Sequence, residues 1–81
     1  MDRLADQGVT FDANYCNSPL CIPSRASFMT GQYVSTNEVW DNTKPMPVDR
    51  LTWPYLLRNE GYDTALNGKM HLIGPDTLHG F

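Results

Sequence analysis

Basic residues are scarce in this sequence and nowhere clustered: six Lys and Arg stand against nine Asp and Glu in 81 residues, for a net charge of -3. A chain that grips nucleic-acid phosphates carries a basic patch or stripe, so nucleic-acid binding is not expected. Long apolar runs are also missing. None approaches the roughly 20 residues needed to cross a bilayer, and Met1-Asp2-Arg3-Leu4 does not open the apolar region of a signal peptide; no membrane association is expected of this stretch. Cysteine is limited to Cys16 and Cys21. Their spacing is not a recognised metal or redox motif, and no other soft ligands gather around them, so a zinc site is not expected. Charged residues reach only 19%, against 41% apolar and 11% aromatic, which is too little charge for a disordered chain. With 81 residues the chain holds one domain at most. Small chains bury a small share of their surface, so packing against partners is expected.

Along the chain, Met1 to Gln7 reads as the last turns of a helix closed by a left-handed Gly8. Val9, Phe11, Ala13 and Tyr15 then alternate with more polar residues over the period of two that marks a strand. Asn17-Ser18-Pro19 is turn chemistry, and Pro23, which loses nothing at a first helical position, opens a helix from Ser24 to Thr30 that stops at Gly31. Residues 32–49, with Pro45, Pro47, Asn37 and Asn42, read as a long surface loop of functional character. Thr52 as cap, Pro54 in the first turn and Gly61 at the end define a second helix, followed by a strand at Tyr62-Asp63-Thr64-Ala65-Leu66. Strand, helix, long loop, helix, strand is an α/β pattern, in which ligands collect beyond the carboxyl ends of strands. Cys21 and Lys69 both fall there. The chain also ends at Leu78-His79-Gly80-Phe81 without completing an element, so it reads as one partial domain over residues 1–81, truncated at both ends.

Taken alone, Cys21 has two readings. Standing before a helix N-terminus with Arg25 nearby, its thiol would be acidified and reactive. An ordinary cysteine is more often a buried structural residue, or here half of a disulfide with Cys16. Lys69, at the end of the second expected strand, is by itself an ordinary solvated lysine, and His71 beside Leu72 and Ile73 an ordinary half-buried histidine. Trp40, Trp53 and Tyr33 read as packing residues rather than a cation cage, and Asp76 and His79 as shaping a loop.

The ordered run Cys21-Ile22-Pro23-Ser24-Arg25, continuing to Thr30-Gly31, resembles the signature of formylglycine-dependent sulfatases, members of the alkaline-phosphatase-like superfamily. Gly61-Tyr62-Asp63-Thr64 leading to Gly68-Lys69-Met70-His71 resembles their second signature. Tyr15-Cys16-Asn17-Ser18-Pro19-Leu20-Cys21, Trp40-Asp41-Asn42 and Gly74-Pro75-Asp76-Thr77-Leu78-His79-Gly80-Phe81 are most similar to choline sulfatases and their bacterial relatives. Phosphonate monoester hydrolases of the same superfamily are the nearest alternative, and a non-catalytic module with unmodified Cys21 the alternative from another class. Two departures from the pattern are Ile22, bulkier than the usual small residue after the cysteine, and Asn67 before Gly68.

The resemblance implies an alkaline-phosphatase-like fold and hydrolysis of a small-molecule sulfate ester. It implies that a formylglycine-generating enzyme oxidises Cys21, whose hydrated aldehyde attacks sulfur and then expels sulfate. By the same resemblance Arg25 holds that group through charge-assisted hydrogen bonds, Lys69 neutralises sulfate oxygens, His71 is a hydrogen-bond and proton partner, and Asn42 touches the substrate. A divalent cation, calcium by family habit, is implied too. Of its ligands only the modified Cys21 falls in this chain; the paired acidic ligands would belong to the rest of the parent sulfatase. These 81 residues are therefore expected to be inactive alone.

Overall fold

The computed structural model describes residues 1–81 and contains four helices: α1 (Asp2–Gln7), α2 (Cys21–Thr30), α3 (Val34–Asn37) and α4 (Trp53–Asn59). α2 organises the rest. Ile22, Ala26 and Met29, at i, i+4 and i+7, make one apolar stripe and are fully buried against Val39, Met46 and Leu72, with Met70, Ile73 and Phe81 packed around them. Burying Ile22 and Met29 each stabilises by about 1.5–3 kcal/mol. The bulky residue after Cys21 therefore belongs to the core. Gly31 ends α2 in the left-handed region (φ 66°), its N–H returning to the Ser27 carbonyl, a conformation that costs glycine nothing.

α2 starts at Cys21, three residues earlier than its proline suggests, with Leu20 as cap and Pro23 inside the first turn. Pro23 is still free of conflict there, because the first-turn N–H groups have no partner within the helix. The long loop is interrupted by α3, which packs on α2. Gly8 does follow α1, but at φ -131° it is not left-handed; the glycine is instead suited by space, a Cβ there lying 3.1 Å from the Leu4 carbonyl oxygen.

The two expected strands, at residues 9–16 and 62–66, are absent, and with them the α/β layering: the structure is helical and irregular. Alternation prepares a segment for a sheet, but a strand exists only through ladder bonds to a neighbour. Residues 9–16 and 63–66 take part in no backbone hydrogen bond, and Val9 and Phe11 are 77% and 75% exposed. The radius of gyration, 15.1 Å, exceeds the roughly 12 Å of a compact chain this long. The molecule is correspondingly open, and 14 of its 81 residues are buried.

α4 is held by the end of the chain. Thr52 caps it in position only; its hydroxyl donates to the His79 carbonyl (2.5 Å) rather than accepting from the helix. Thr64 Oγ1 donates to the Gly80 carbonyl (2.6 Å). Gly80, at φ 103°, lies so close to α4 that a Cβ would stand 2.6 Å from the Tyr55 nitrogen. Trp53 is the one of the three marked aromatics that packs, edge-on to Phe28 (6.1 Å) and Phe81 (5.5 Å). Trp40 and Tyr33 are 56% and 73% exposed, contrary to the packing role expected of them.

Asp76 ties this strap together. Its carboxylate accepts from the backbone N–H groups of Leu78 (2.9 Å) and His79 (3.0 Å) and from the Tyr55 hydroxyl (2.7 Å). The backbone N–H of His79, then the Tyr55 hydroxyl and the N–H of Leu78, hold the carboxyl down at about 2. The folded value lies below the roughly 3.9 of a free Asp, so this stabilisation is complete above that pH and is lost as pH falls from about 4 through 2. Urea midpoints of the intact protein measured from pH 6 to pH 2.5 should therefore fall more steeply for wild type than for Asp76→Asn. Parallel curves would remove Asp76 as a contributor.

Candidate active site

The head of α2 holds the candidate residues Cys21 and Arg25. Cys21 is its first residue, exposed and unpaired, and Arg25 stands four residues on, over the same face of the helix. Leu20 offers no side chain to the free N–H groups of the first turn. Asn42 supplies the missing acceptor from the loop, its Oδ1 taking the Ile22 N–H at 2.9 Å. A cap of this kind contributes about 1 kcal/mol, and here it also fixes the loop against the residue next to Cys21. Asp41 shapes that loop by accepting from the Thr43 N–H and hydroxyl (2.7 and 2.6 Å) and the Lys44 N–H (3.2 Å). The Thr43 hydroxyl, foremost, draws the Asp41 carboxyl below its ordinary value.

Arg25 spans the two signatures. Its Nη1 donates to the Lys69 carbonyl at 2.7 Å, across 44 residues of sequence. One guanidinium has five N–H donors, so the bond to Lys69 leaves most of the group free. The structure brings Cys21, Arg25 and the backbone of Lys69 together, and reaches Asn42 through Ile22. Lys69 and His71 have exposed side chains; His71 sits in the left-handed region at φ 55°, uncommon outside glycine but tolerated by His.

Beside Cys21 and Arg25 lies an open cleft of about 470 Å³, whose walls include Cys16, Ser24, Phe28 and Met70. The sequence offered Cys16 only as a possible disulfide partner of Cys21; the structure also puts it on the cleft wall. Its sulfur lies 2.7 Å from the Ser18 carbonyl oxygen and 3.2 Å from Ser24 Oγ. Donation from the Ser24 hydroxyl, foremost, holds the Cys16 thiol below its ordinary value. The Cys16–Cys21 disulfide considered for the sequence is not formed; both thiols are free.

No three His, Cys, Asp or Glu side chains are gathered closely enough to hold a metal ion. These residues therefore do not make a divalent-cation site by themselves. No helix is long and apolar enough to cross a membrane.

A sequence model of the sulfatase family matches residues 1–77. The chain is 51% identical over its full length to a choline-sulfatase of Rhizobium meliloti, of which it covers 16%. It is 44% identical over 90% of its length to an N-acetylglucosamine-6-O-sulfatase of Bacteroides thetaiotaomicron, covering 13% of that protein. It is 42% identical over 89% of its length to the human steryl-sulfatase, covering 14%. The chain thus spans about a sixth or less of the relatives it matches. A family model over residues 1–77, together with identities above 40% over 89% or more of the chain, places it in the sulfatase family.

Proposed function

We propose that the protein to which this chain belongs hydrolyses small-molecule sulfate monoesters, with choline sulfate the first substrate to test and Cys21 the precursor of the nucleophile. The bond that links Arg25, on the Cys-x-Pro-x-Arg helix, to the Lys69 carbonyl of the second signature supports this reading most, because it draws two distant motifs to one place. The 51% identity to a choline-sulfatase supports the choice of ester.

Position 21 suits a formylglycine residue. It is exposed on a cleft at the head of a helix, and the aldehyde, once hydrated, supplies a hydroxyl to attack sulfur. The residues of this chain then have separate tasks. Arg25 keeps one nitrogen on Lys69 and turns its remaining donors toward position 21, where developing negative charge is stabilised by charge-assisted bonds. Lys69 sets its ammonium against sulfate oxygens. His71 exchanges a proton with the ester oxygen or the nucleophile. Asn42, with its oxygen committed to Ile22, offers its amide N–H groups to the substrate. The cation, calcium by the family resemblance, is held mainly by residues elsewhere in the protein, as are the neighbouring strands that would turn residues 9–16 and 62–66 into an α/β sheet. The 81 residues alone are inactive on this view.

The decisive experiment is the intact mass of the protein coexpressed with a formylglycine-generating enzyme, followed by sulfate release. Conversion of Cys21 lowers the mass by about 18 Da, and the converted protein should release sulfate from choline sulfate in multiple turnovers. An unchanged Cys21 would leave a non-catalytic module. Faster cleavage of a phosphonate monoester than of any sulfate ester would move the protein to the phosphonate hydrolases.

A further inference from the structure

Cys16 and Cys21 both present exposed thiols and both border the cleft beside Arg25. Ser24 stands three residues after Cys21 on α2, a spacing that makes the two side chains neighbours with Cβ atoms about 5–6 Å apart. The Cys16 sulfur lies 3.2 Å from Ser24 Oγ, so it meets the same turn of helix from which Cys21 projects. Between the cysteines, Asn17 and residues 19 and 20 are exposed and Ser18 half-buried. The segment is tied at Asn17, whose Oδ1 accepts from the Val34 N–H at a long 3.5 Å, and at Leu20, whose carbonyl accepts from the Ser24 N–H. Residues between these ties can shift toward Cys21 without unpacking a buried side chain.

We propose that Cys16 is a second modification site: it is the thiol with which unconverted Cys21 closes a disulfide when a low-molecular-weight disulfide is present, withholding Cys21 from oxidation to formylglycine. This rests on the formylglycine reading of Cys21. The Cys16 thiolate attacks one sulfur of glutathione disulfide, forming a mixed disulfide and releasing one glutathione thiolate. The Cys21 thiolate then attacks the Cys16 sulfur, closing the Cys16–Cys21 bond and expelling the second glutathione. The two protein thiols give up two protons and two electrons, and both leave with the two glutathione thiols. Cys16 is suited to the first attack because the Ser24 hydroxyl favours its thiolate.

The test uses the full-length protein made without a formylglycine-generating enzyme, so that position 21 remains cysteine. It is equilibrated with reduced or oxidised glutathione, freed of the buffer, mapped by peptide mass, and then given the maturing enzyme with dioxygen as oxidant and ascorbate, a two-electron donor that leaves protein disulfides intact, in place of a thiol reductant. Cys16→Ser, a near-isosteric change at an exposed position, is treated in parallel. The expected result is a Cys16–Cys21 crosslink about 2 Da below the dithiol, with conversion slowed on the order of tenfold or more relative to reduced protein. Cys16→Ser should form no such crosslink, and the fraction of it that the peptide map shows free of glutathione at Cys21 should convert as fast as reduced wild type. A glutathione adduct at Cys16 that never closes onto Cys21, or oxidised protein converted as fast as reduced, overturns the proposal. If reduced wild type and Cys16→Ser also never lose about 18 Da, the formylglycine reading itself fails and the gate with it, whether or not the map shows the crosslink; the two failures are therefore distinct.

Discussion

Alanine at position 21 is expected to lower kcat/KM for sulfate release by on the order of 10⁴-fold or more, the scale seen when a covalent nucleophile is removed. That loss corresponds to roughly 5–6 kcal/mol of transition-state stabilisation. The same change should hardly touch the fold. Cys21 is an exposed first residue of α2 without a partner for its sulfur, and exposed substitutions of this kind usually fall within about 0.5 kcal/mol. The apolar stripe that anchors the helix begins at Ile22, so alanine leaves it intact. Rates and urea midpoints measured on the same preparation separate the effects. A Cys21→Ala protein within tenfold of wild-type turnover would show that position 21 does not supply the nucleophile. An equal fall in rate and stability would make Cys21 a structural residue.

What the sequence made legible was local. The cap-and-glycine grammar placed α4 to within a residue or two of Trp53–Asn59, and Gly31 marked the end of α2, because those signals act within a single helical turn. The alternation over residues 9–16 was real as a pattern but silent about pairing, since a sheet is made between segments and none within this chain pairs with it. The site divided in the same way. Cys21 and Arg25 could be found from a run of five residues. The bond from Arg25 to Lys69 spans 44 residues, and that from Asn42 to Ile22 spans 20, distances over which a sequence pattern carries no geometry. Cys16 was legible as a possible partner of Cys21, but not its contact with Ser24, because that contact depends on α2 turning Ser24 toward it.

The Arg25–Lys69 bond makes a second large effect testable. Lysine at position 25 keeps the positive charge but replaces a planar fork of five donors by a single ammonium. It cannot hold the Lys69 carbonyl and still offer a second, oriented donor at position 21. The lost bond lies on an exposed part of the structure, where water replaces it, so the fold should lose no more than about 1 kcal/mol. Loss of one oriented donor to developing negative charge costs about 10²- to 10³-fold in rate, or roughly 2.7–4 kcal/mol. Catalysis should therefore suffer well beyond stability. Because Arg25 also belongs to the Cys-x-Pro-x-Arg run that the proposed maturation would require, the rate of Arg25→Lys must be divided by the fraction of position 21 converted, measured by mass. The corrected kcat is expected to fall by on the order of 10²-fold, with a smaller change in KM. If the correction restores the rate to within about threefold, Arg25 acts only in maturation, and its bond to Lys69 is a brace in the fold rather than part of the reacting site.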